Sequence, residues 1–264
     1  MSPTTEEKGE ALRALHEGEP FVIPNPWDAG SAKVLAGLGF KALATTSSGF
    51  AFTLGRPDGS VTLEEIGAHV AALSEATELP VSVDLENGYG PAPDDAARAI
   101  RTVAESGAVG GSIEDYDRDD GIYELDHAVE RVAAAVEAAR QVGFPFTFTA
   151  RSENQLHGNR DLEETIARLQ AFERAGADVV FAPGLRTGEE IIAVCGAMTK
   201  PVNVLGHSGL ELSEIVEAGA QRISVGGGLA FTAAAAMADV AEAIRNGDFS
   251  LLRRPQKIQE WLES

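Results

Sequence analysis

Three carboxylates in this chain stand where they could grip a cation: Asp84 and Glu86 in PVSVDLENGYG, and Glu114 in GGSIED. Residues two apart on a β-strand point to the same side, so Asp84 and Glu86 can face one cavity. Left alone they would repel. A hard divalent cation resolves that repulsion. Oxygen ligands without His or Cys suit Mg2+, with Mn2+ as the alternative. Mg2+ keeps several waters and takes one or two carboxylates directly, so part of the trio would act through water. A salt network with Arg151 or lysines satisfies the same groups without metal, and spacing alone weighs the two readings evenly.

Other residues could serve an anionic substrate. Arg151 sits in the apolar run FPFTFTAR and needs anionic partners, either Glu153 and its neighbours or a bound carboxylate. Ser47-Ser48-Gly49 could offer N–H groups to a carboxylate or form a turn. Gly226–Gly228 has the same two readings, in the place where many barrels hold phosphate. His207 in LGHSGL is a candidate acid or base, though a lone His near a turn is more often only hydrogen-bonded. Trp27 and Tyr89 read as pocket walls. Cys195, in IIAVCGAM, reads as a small buried hydrophobe rather than a nucleophile. As the sole cysteine it excludes an internal disulfide and a multi-Cys zinc site.

These groups need elements to position them. Eight short apolar runs recur, at 21–27, 41–47, 80–86, 110–115, 144–152, 177–183, 201–206 and 222–228. Most are continuous rather than alternating, as strands buried on both faces are. Helical patterns lie between them. Thr62-Leu-Glu-Glu65 is a capping box, Asp161 and Thr187 precede further helices, and Asp126 precedes HAVERVAAAVEAARQ. Gly39, Gly107, Gly143, Gly176 and Gly219 each fall between a helix and the next strand. This is the place for a left-handed residue that turns the chain back to the sheet. One helix-then-strand unit therefore recurs, and eight of them predict an α/β fold of the (β/α)8 TIM-barrel type. A doubly wound sheet would show G-x-G-x-x-G after its first strand, where this chain has NPWDAGSA. No linker or charge block divides the sequence. Residues 1–264 read as one barrel domain with a leading helix within 1–20 and one or two closing helices within 231–264. Barrel chemistry collects at the C-terminal strand ends, where the three carboxylates, Arg151, His207 and the Ser47–Gly49 and Gly226–Gly228 segments fall.

With 264 residues, 21 basic and 41 acidic, the net charge is −20. An apolar content of 44% excludes a disordered chain. The negative charge argues against nucleic acid and anionic membranes as partners, and an acidic substrate would need a local cation. The polar start MSPTTEEKGE is no signal peptide, and no run approaches the ~20 apolar residues that span a bilayer. A cytoplasmic protein is expected.

Taken in order, VIPNPWDAGSAKVLAGLGFKALATTSSGFA, GRPDG, VDLENGYG, SIED and TARSEN closely resemble the isocitrate lyase/phosphoenolpyruvate mutase superfamily. The resemblance spans roughly 20–230. It implies a (β/α)8 barrel, often with the last helix exchanged between subunits of a homodimer or homotetramer. It also implies Mg2+, a small 2-oxo acid substrate, and C–C or P–C chemistry beside an enolate. By the same resemblance Asp84, Glu86 and Glu114 are the metal residues, with Glu86 at a position that is commonly Asp. Arg151 and Asp58 are catalytic. Trp27, Ser47, Ser48 and Gly49 bind the substrate carboxylate together with Arg151, and Glu153 and Asn203 are polar substrate-side positions. One departure matters. The lyases carry a Lys-Lys/Arg-Cys-Gly-His loop after the fourth strand, and the mutases a Lys- and Asn-bearing loop. This chain has DYDRDDGIYELDHAVE there, with no Cys, Lys or Asn, and FAPG in the sixth strand lacks a His found in some members. Loss of CO2 needs no thiol acid, so the expected activity is lyase chemistry like that of oxaloacetate decarboxylase. The alternatives are another C–C or P–C lyase of methylisocitrate lyase, phosphonopyruvate hydrolase or phosphoenolpyruvate mutase type, or a 2-oxo acid-binding barrel without turnover.

Overall fold

All eight apolar runs become strands. The structure, a computed structural model, describes residues 2–253 and 257–263. Helix α1 (Thr5–Glu17) leads, followed by β1 (Phe21–Ile23), α2 (Ala29–Gly37), β2 (Leu43–Ala44), α3 (Ser47–Thr53), α4 (Leu63–Ala76) and β3 (Val81–Asp84). Then come α5 (Pro93–Glu105), β4 (Gly110–Glu114), a small hairpin β5 (Tyr116–Asp117) and β6 (Gly121–Ile122), α6 (Leu125–Gln141), β7 (Thr147–Arg151) and α7 (Leu162–Arg174). The chain continues through β8 (Val179–Phe181), α8 (Gly188–Ala197), β9 (Val202–Leu205), α9 (Leu212–Glu217), β10 (Arg222–Ser224), α10 (Gly228–Arg245) and α11 (Ile258–Glu263).

Eight strands run parallel in the order β1-β10-β9-β8-β7-β4-β3-β2. The two ends of that order meet: the Ala44 N–H donates to the Pro24 carbonyl at 3.0 Å. Asn25 stitches the same seam. Its Nδ2 donates to the Thr45 carbonyl at 2.8 Å, and its Oδ1 accepts the N–H groups of Val225 and Gly226 at 2.8 and 2.9 Å. The cylinder is thereby closed, as a TIM barrel. The five joint glycines have φ from 84° to 105°, so each supplies the left-handed turn its place requires.

The caps behave as sequence chemistry dictates at Thr62, Asp161 and Thr187, whose side chains accept from N–H groups of the first turn. Asp126 differs. Helix α6 starts earlier, with Glu124 at the cap, because the Tyr123 N–H is held by the Asp115 carbonyl at 2.8 Å and fixes where the chain leaves the hairpin. Asp126 lies in the first turn, where a negative charge still suits the helix dipole. Asp28, just past the first apolar run, caps α2 with Ser31.

The two faces of the strands differ more than continuous apolar runs suggested. Outward residues such as Val83, Ile113, Phe148, Val180, Val204 and Ile223 join the large core under the helices. Many inward residues at the alternate positions are polar and line a central cavity, among them Ser82, Asp84, Ser112, Arg151, Asn203 and Ser224, beside the apolar Ile23, Phe181 and Leu205.

Helix α11 returns to its own barrel: Lys33 Nζ donates to the Leu262 carbonyl at 2.8 Å, and Trp261 fills the space beside Gly37 where a Cβ would stand. Helix α10 leaves most of its length exposed, Phe231 and Met237 included. Among the described residues no helix is long and apolar enough to cross a membrane.

Candidate active site

Asp84, the last residue of β3, is set by backbone contacts. Its N–H donates to Thr45 Oγ1 at 2.9 Å, while its own oxygens accept the N–H groups of Ser47 and Glu86, each at 3.3 Å. Beyond it the chain turns sharply, with φ of 48° at Glu86 and 62° at Tyr89, values rare outside glycine. Two clamps hold this loop. Arg131, buried on α6, donates to the carbonyls of Gly90 (2.8 Å), Ala92 (3.1 Å) and Asn87, and its guanidinium lies over the Tyr123 ring at 4.6 Å. On the other side the Glu114 N–H donates to the Glu86 carbonyl at 2.8 Å, tying the end of β4 to the loop.

Arg151, the last residue of β7, gathers the carboxylates. Nη1 lies 3.7 Å from Asp84, Nη2 lies 3.4 Å from Glu114, and Nε bonds Glu153. Burial opposes its charge, but Glu114, Glu153 and Asp84 outweigh burial and hold the guanidinium above its ordinary range. Glu153 also faces His157 at 3.3 Å, and that ring stacks on Tyr116 of the hairpin.

The carboxylates carry the cost. Burial, then the nearby charges of Asp84 and Asp58, push Glu86 up to about 7, against weaker relief from Arg118 and Arg151. Burial pushes Glu114 well up despite Arg151 beside it. Asp115 goes up to about 6, again by burial, although the Glu153 N–H and Arg168 oppose the shift. A carboxyl raised in the folded state binds protons there that the unfolded chain releases, so ionising it on folding weakens the fold as pH rises. For Glu86 the loss runs from about pH 4.5 to about 7. Metal-free protein should therefore melt lower at pH 8 than at pH 5.5, and Glu86→Gln should flatten that slope and raise the pH 8 melting temperature by about 2–4 °C. Calorimetric melts across this pH range check it.

The donor set suits a hydrated hard cation rather than a tight cage. Among the described residues no three Asp, Glu, His or Cys side chains converge closely enough to hold an ion by themselves. Glu86 Oε1 is buried with no hydrogen-bond partner, and Glu86 and Glu114 are raised first by burial and then by neighbouring carboxylates, whose repulsion a divalent charge would relieve. Mg2+ with most of its waters fits such a group, taking one carboxylate directly and the rest through water.

A cavity of about 200 Å3 opens beside this cluster. Ser47, Ser48, Asp58, Asp84, Arg151 and Asn203 line it. Asp58 stands at the mouth, 3.7 Å from Arg118 of the β5–β6 hairpin. The other expected residues stand behind. Glu114, paired with Arg151, and Glu86, which lies past the end of β3 where the chain has turned and strand parity no longer applies, are not among the residues that line the cavity. Glu153 braces Arg151. The Gly49 N–H donates to Thr46 Oγ1 at 3.3 Å, and Trp27 sits against Gly49. The Ser47 N–H is given to Asp84, and the Gly226 N–H to Asn25, so neither is free. His207 is an exposed turn residue whose Nδ1 accepts the Gly209 N–H at 3.0 Å. Burial pushes the Cys195 thiol up to about 11, away from nucleophilic use.

Sequence reasoning missed Arg131, His157, Arg222 and the hydroxyls Ser82, Ser112 and Ser224. The parity of the strands was the available signal: Ser82, Ser112, Thr149 and Arg222 stand two residues from Asp84, Glu114, Arg151 and Ser224, on the same face.

Known proteins resemble this chain over most of its length. An oxaloacetate decarboxylase of Rhodopseudomonas palustris (strain BisB18) is 31% identical over 228 residues, 84% of this chain and 78% of that one. The crystal structure of a presumed lyase/mutase from Burkholderia cenocepacia J2315 superposes with a TM-score of 0.94 at 50% identity, covering 98% of this chain and 97% of the other. That of an oxaloacetate acetylhydrolase with its product oxalate gives 0.86 at 28% identity over 97% and 94%. The sequence profile for phosphoenolpyruvate phosphomutase matches residues 12–245. The chain belongs to that family, within the phosphoenolpyruvate mutase/isocitrate lyase superfamily.

Proposed function

We propose that this barrel is a Mg2+-assisted lyase that cleaves a C–C bond of a small 2-oxo dicarboxylic acid, oxaloacetate being the first candidate. The observation that carries the reading is Arg151, placed at the cavity wall with Asp84 at 3.7 Å and Glu114 at 3.4 Å. Asp84 would hold Mg2+ directly, with Glu86 and Glu114 acting through its waters. Bound there, the ion supplies Lewis-acid polarisation of a ketone. Arg151 presents a fixed positive charge where the keto oxygen would lie. Cleavage at C3 releases CO2, and the electron pair of the broken bond moves onto that oxygen as an enolate. Arg151 stabilises the developing charge. A proton delivered to C3 then gives pyruvate, so atoms and charge balance without a thiol acid. Ser47, Ser48 and Asn203 line the space around the substrate, Trp27 and Gly49 shape the segment under Ser48, and Glu153 keeps the Arg151 fork in place. Asp58, at the mouth, is positioned to meet the hairpin through Arg118.

The cavity volume supports a substrate of this size, and the decarboxylase and acetylhydrolase relatives support the choice of oxaloacetate. The exposed apolar residues of α10 support a homo-oligomer in which a second copy covers that helix, and we read residues 1–264 as one barrel domain of the cytoplasm.

Purified protein with Mg2+ should release pyruvate from oxaloacetate faster than Mg2+ alone, should lose that activity to a chelator, and should regain it on adding Mg2+. NMR of mixtures with 2-oxo acids, 2-hydroxy tricarboxylates and phosphonates decides between this and the other family chemistries. Binding without product from any of them would refute the lyase.

A further inference from the structure

Barrel interiors of this architecture are usually filled by branched apolar side chains. Here the inward face of the strands below Asp84, Glu114 and Arg151 carries Ser82, Ser112, Thr149, Asn203, Ser224 and Arg222, with Ile23, Phe181 and Leu205 as the larger apolar members of the cavity wall. Small hydroxyls leave room, and the cavity runs down to the Arg222 guanidinium.

Arg222 is buried and held entirely by neutral acceptors. Its Nε donates to Asn203 Oδ1 at 2.8 Å and its Nη2 to Thr149 Oγ1 at 3.0 Å. The third neighbour is His16 of α1, whose Nε2 lies 3.4 Å from Nη1. His16 Nδ1 sits 2.8 Å from the Leu12 carbonyl, which can only accept. Nδ1 therefore carries the ring proton, and Nε2 faces Arg222 as an acceptor. Burial, then Arg222, lower His16 to about 3, so the ring is neutral. Burial lowers Arg222 to about 9, and it stays protonated at neutral pH. Among the described residues no carboxylate forms an ion pair with it. Arg151, on the same cavity wall, has three.

A buried cation without a counter-ion is costly, and its surroundings here do nothing to neutralise it. Arg151 is already shared among Glu114, Glu153 and Asp84, which leaves Arg222 as the unpaired positive charge on the cavity wall. Ser224, whose Oγ accepts from Asn203 Nδ2 at 2.9 Å, keeps its own O–H free to donate. We propose that this well is the receptor for the remote carboxylate of the 2-oxo dicarboxylic acid, held by Arg222 and Ser224 beneath the end that meets Asp84. The assignment rests on the lyase reading for the identity of the acid. It makes Arg222 the residue that separates dicarboxylic from monocarboxylic acids.

Binding rather than turnover tests it. Malate and 2-hydroxybutyrate differ only in carrying a remote carboxylate or a methyl group, and neither is the lyase substrate. Titrated calorimetrically in Mg2+, the wild-type protein should bind malate at least about tenfold more tightly, the usual weight of a charge-assisted carboxylate contact. Arg222→Met should abolish that preference while leaving oxalate and 2-hydroxybutyrate within about twofold, and Arg222→Lys should keep part of it. Ser112→Val fills the well without touching the guanidinium and should have the same effect, which keeps the test decisive if the Met variant fails to fold. Equal affinity for the two acids in the wild type overturns the proposal, as does a preference that survives in a folded Met or Val variant. Arg222-dependent malate binding in a protein that turns over no 2-oxo acid sinks the lyase and leaves the receptor. Oxaloacetate turnover without the preference does the reverse.

Discussion

Asp84→Asn should lower kcat/KM for the proposed substrate by about a thousandfold. Polarisation of a ketone by a bound divalent cation is worth several kcal/mol of barrier, and about 4 kcal/mol corresponds to that factor. The substitution keeps the shape of the side chain but removes the charge that would hold Mg2+ directly. It also disturbs one local bond. The two oxygens of Asp84 accept from Ser47 and Glu86, whereas an amide offers one oxygen. An orphaned N–H costs about 1–3 kcal/mol, so the melting temperature should fall by a few degrees while the barrel stays folded. Steady-state kinetics beside a calorimetric Mg2+ titration separates the effects. A folded Asn variant with wild-type Mg2+ binding and turnover would remove Asp84 from the site.

For stability the largest loss should come from Arg151→Met. Removing one partner of a buried ionic group strands the other, at about 3–5 kcal/mol. Here it strands three: Glu114, Glu153 and Asp84. A fall in melting temperature of about 10 °C or more is expected at pH 8, together with loss of turnover. The stability deficit should shrink toward pH 5, because the stranded carboxyls can then take up protons. Arg151→Lys should recover part of the stability, keeping a positive charge without the planar fork. Thermal melts of the three proteins at pH 5 and pH 8 test the size and the direction together.

Much of the scaffold was legible in the residues. The joint glycines announced the repeat because each needs a positive φ, and Thr62, Asp161 and Thr187 announced helix starts through cap chemistry that is local. Convergence of Asp84, Glu114 and Arg151 followed from strand-end placement, and they do bear on one another. Less visible was anything fixed by distant neighbours. Asn25 lies in the first apolar run and turns out to join β1, β2 and β10, because three of its four hydrogen-bonding positions meet one carbonyl and two N–H groups far apart in sequence. Arg131 reads as one charge on an amphipathic helix, yet is fully buried under the Glu86 loop. Ser47-Ser48-Gly49 stayed open between turn and anion site. The structure makes it the first turn of α3, because the Thr46 hydroxyl accepts the Gly49 N–H. The polar inner layer was hidden by composition, since each serine is alone among valines and isoleucines until parity is read across several strands.

The left-handed backbone at Glu86 sets persistence against purpose in this protein. A non-glycine residue in that conformation costs about 1–3 kcal/mol, and its side chain adds a crowded, desolvated negative charge. Glycine there would relieve both burdens at once. A search of random variants rewarding heat resistance alone would therefore be drawn to position 86, and would select barrels that endure longer while surrendering an acidic group the chemistry is proposed to use.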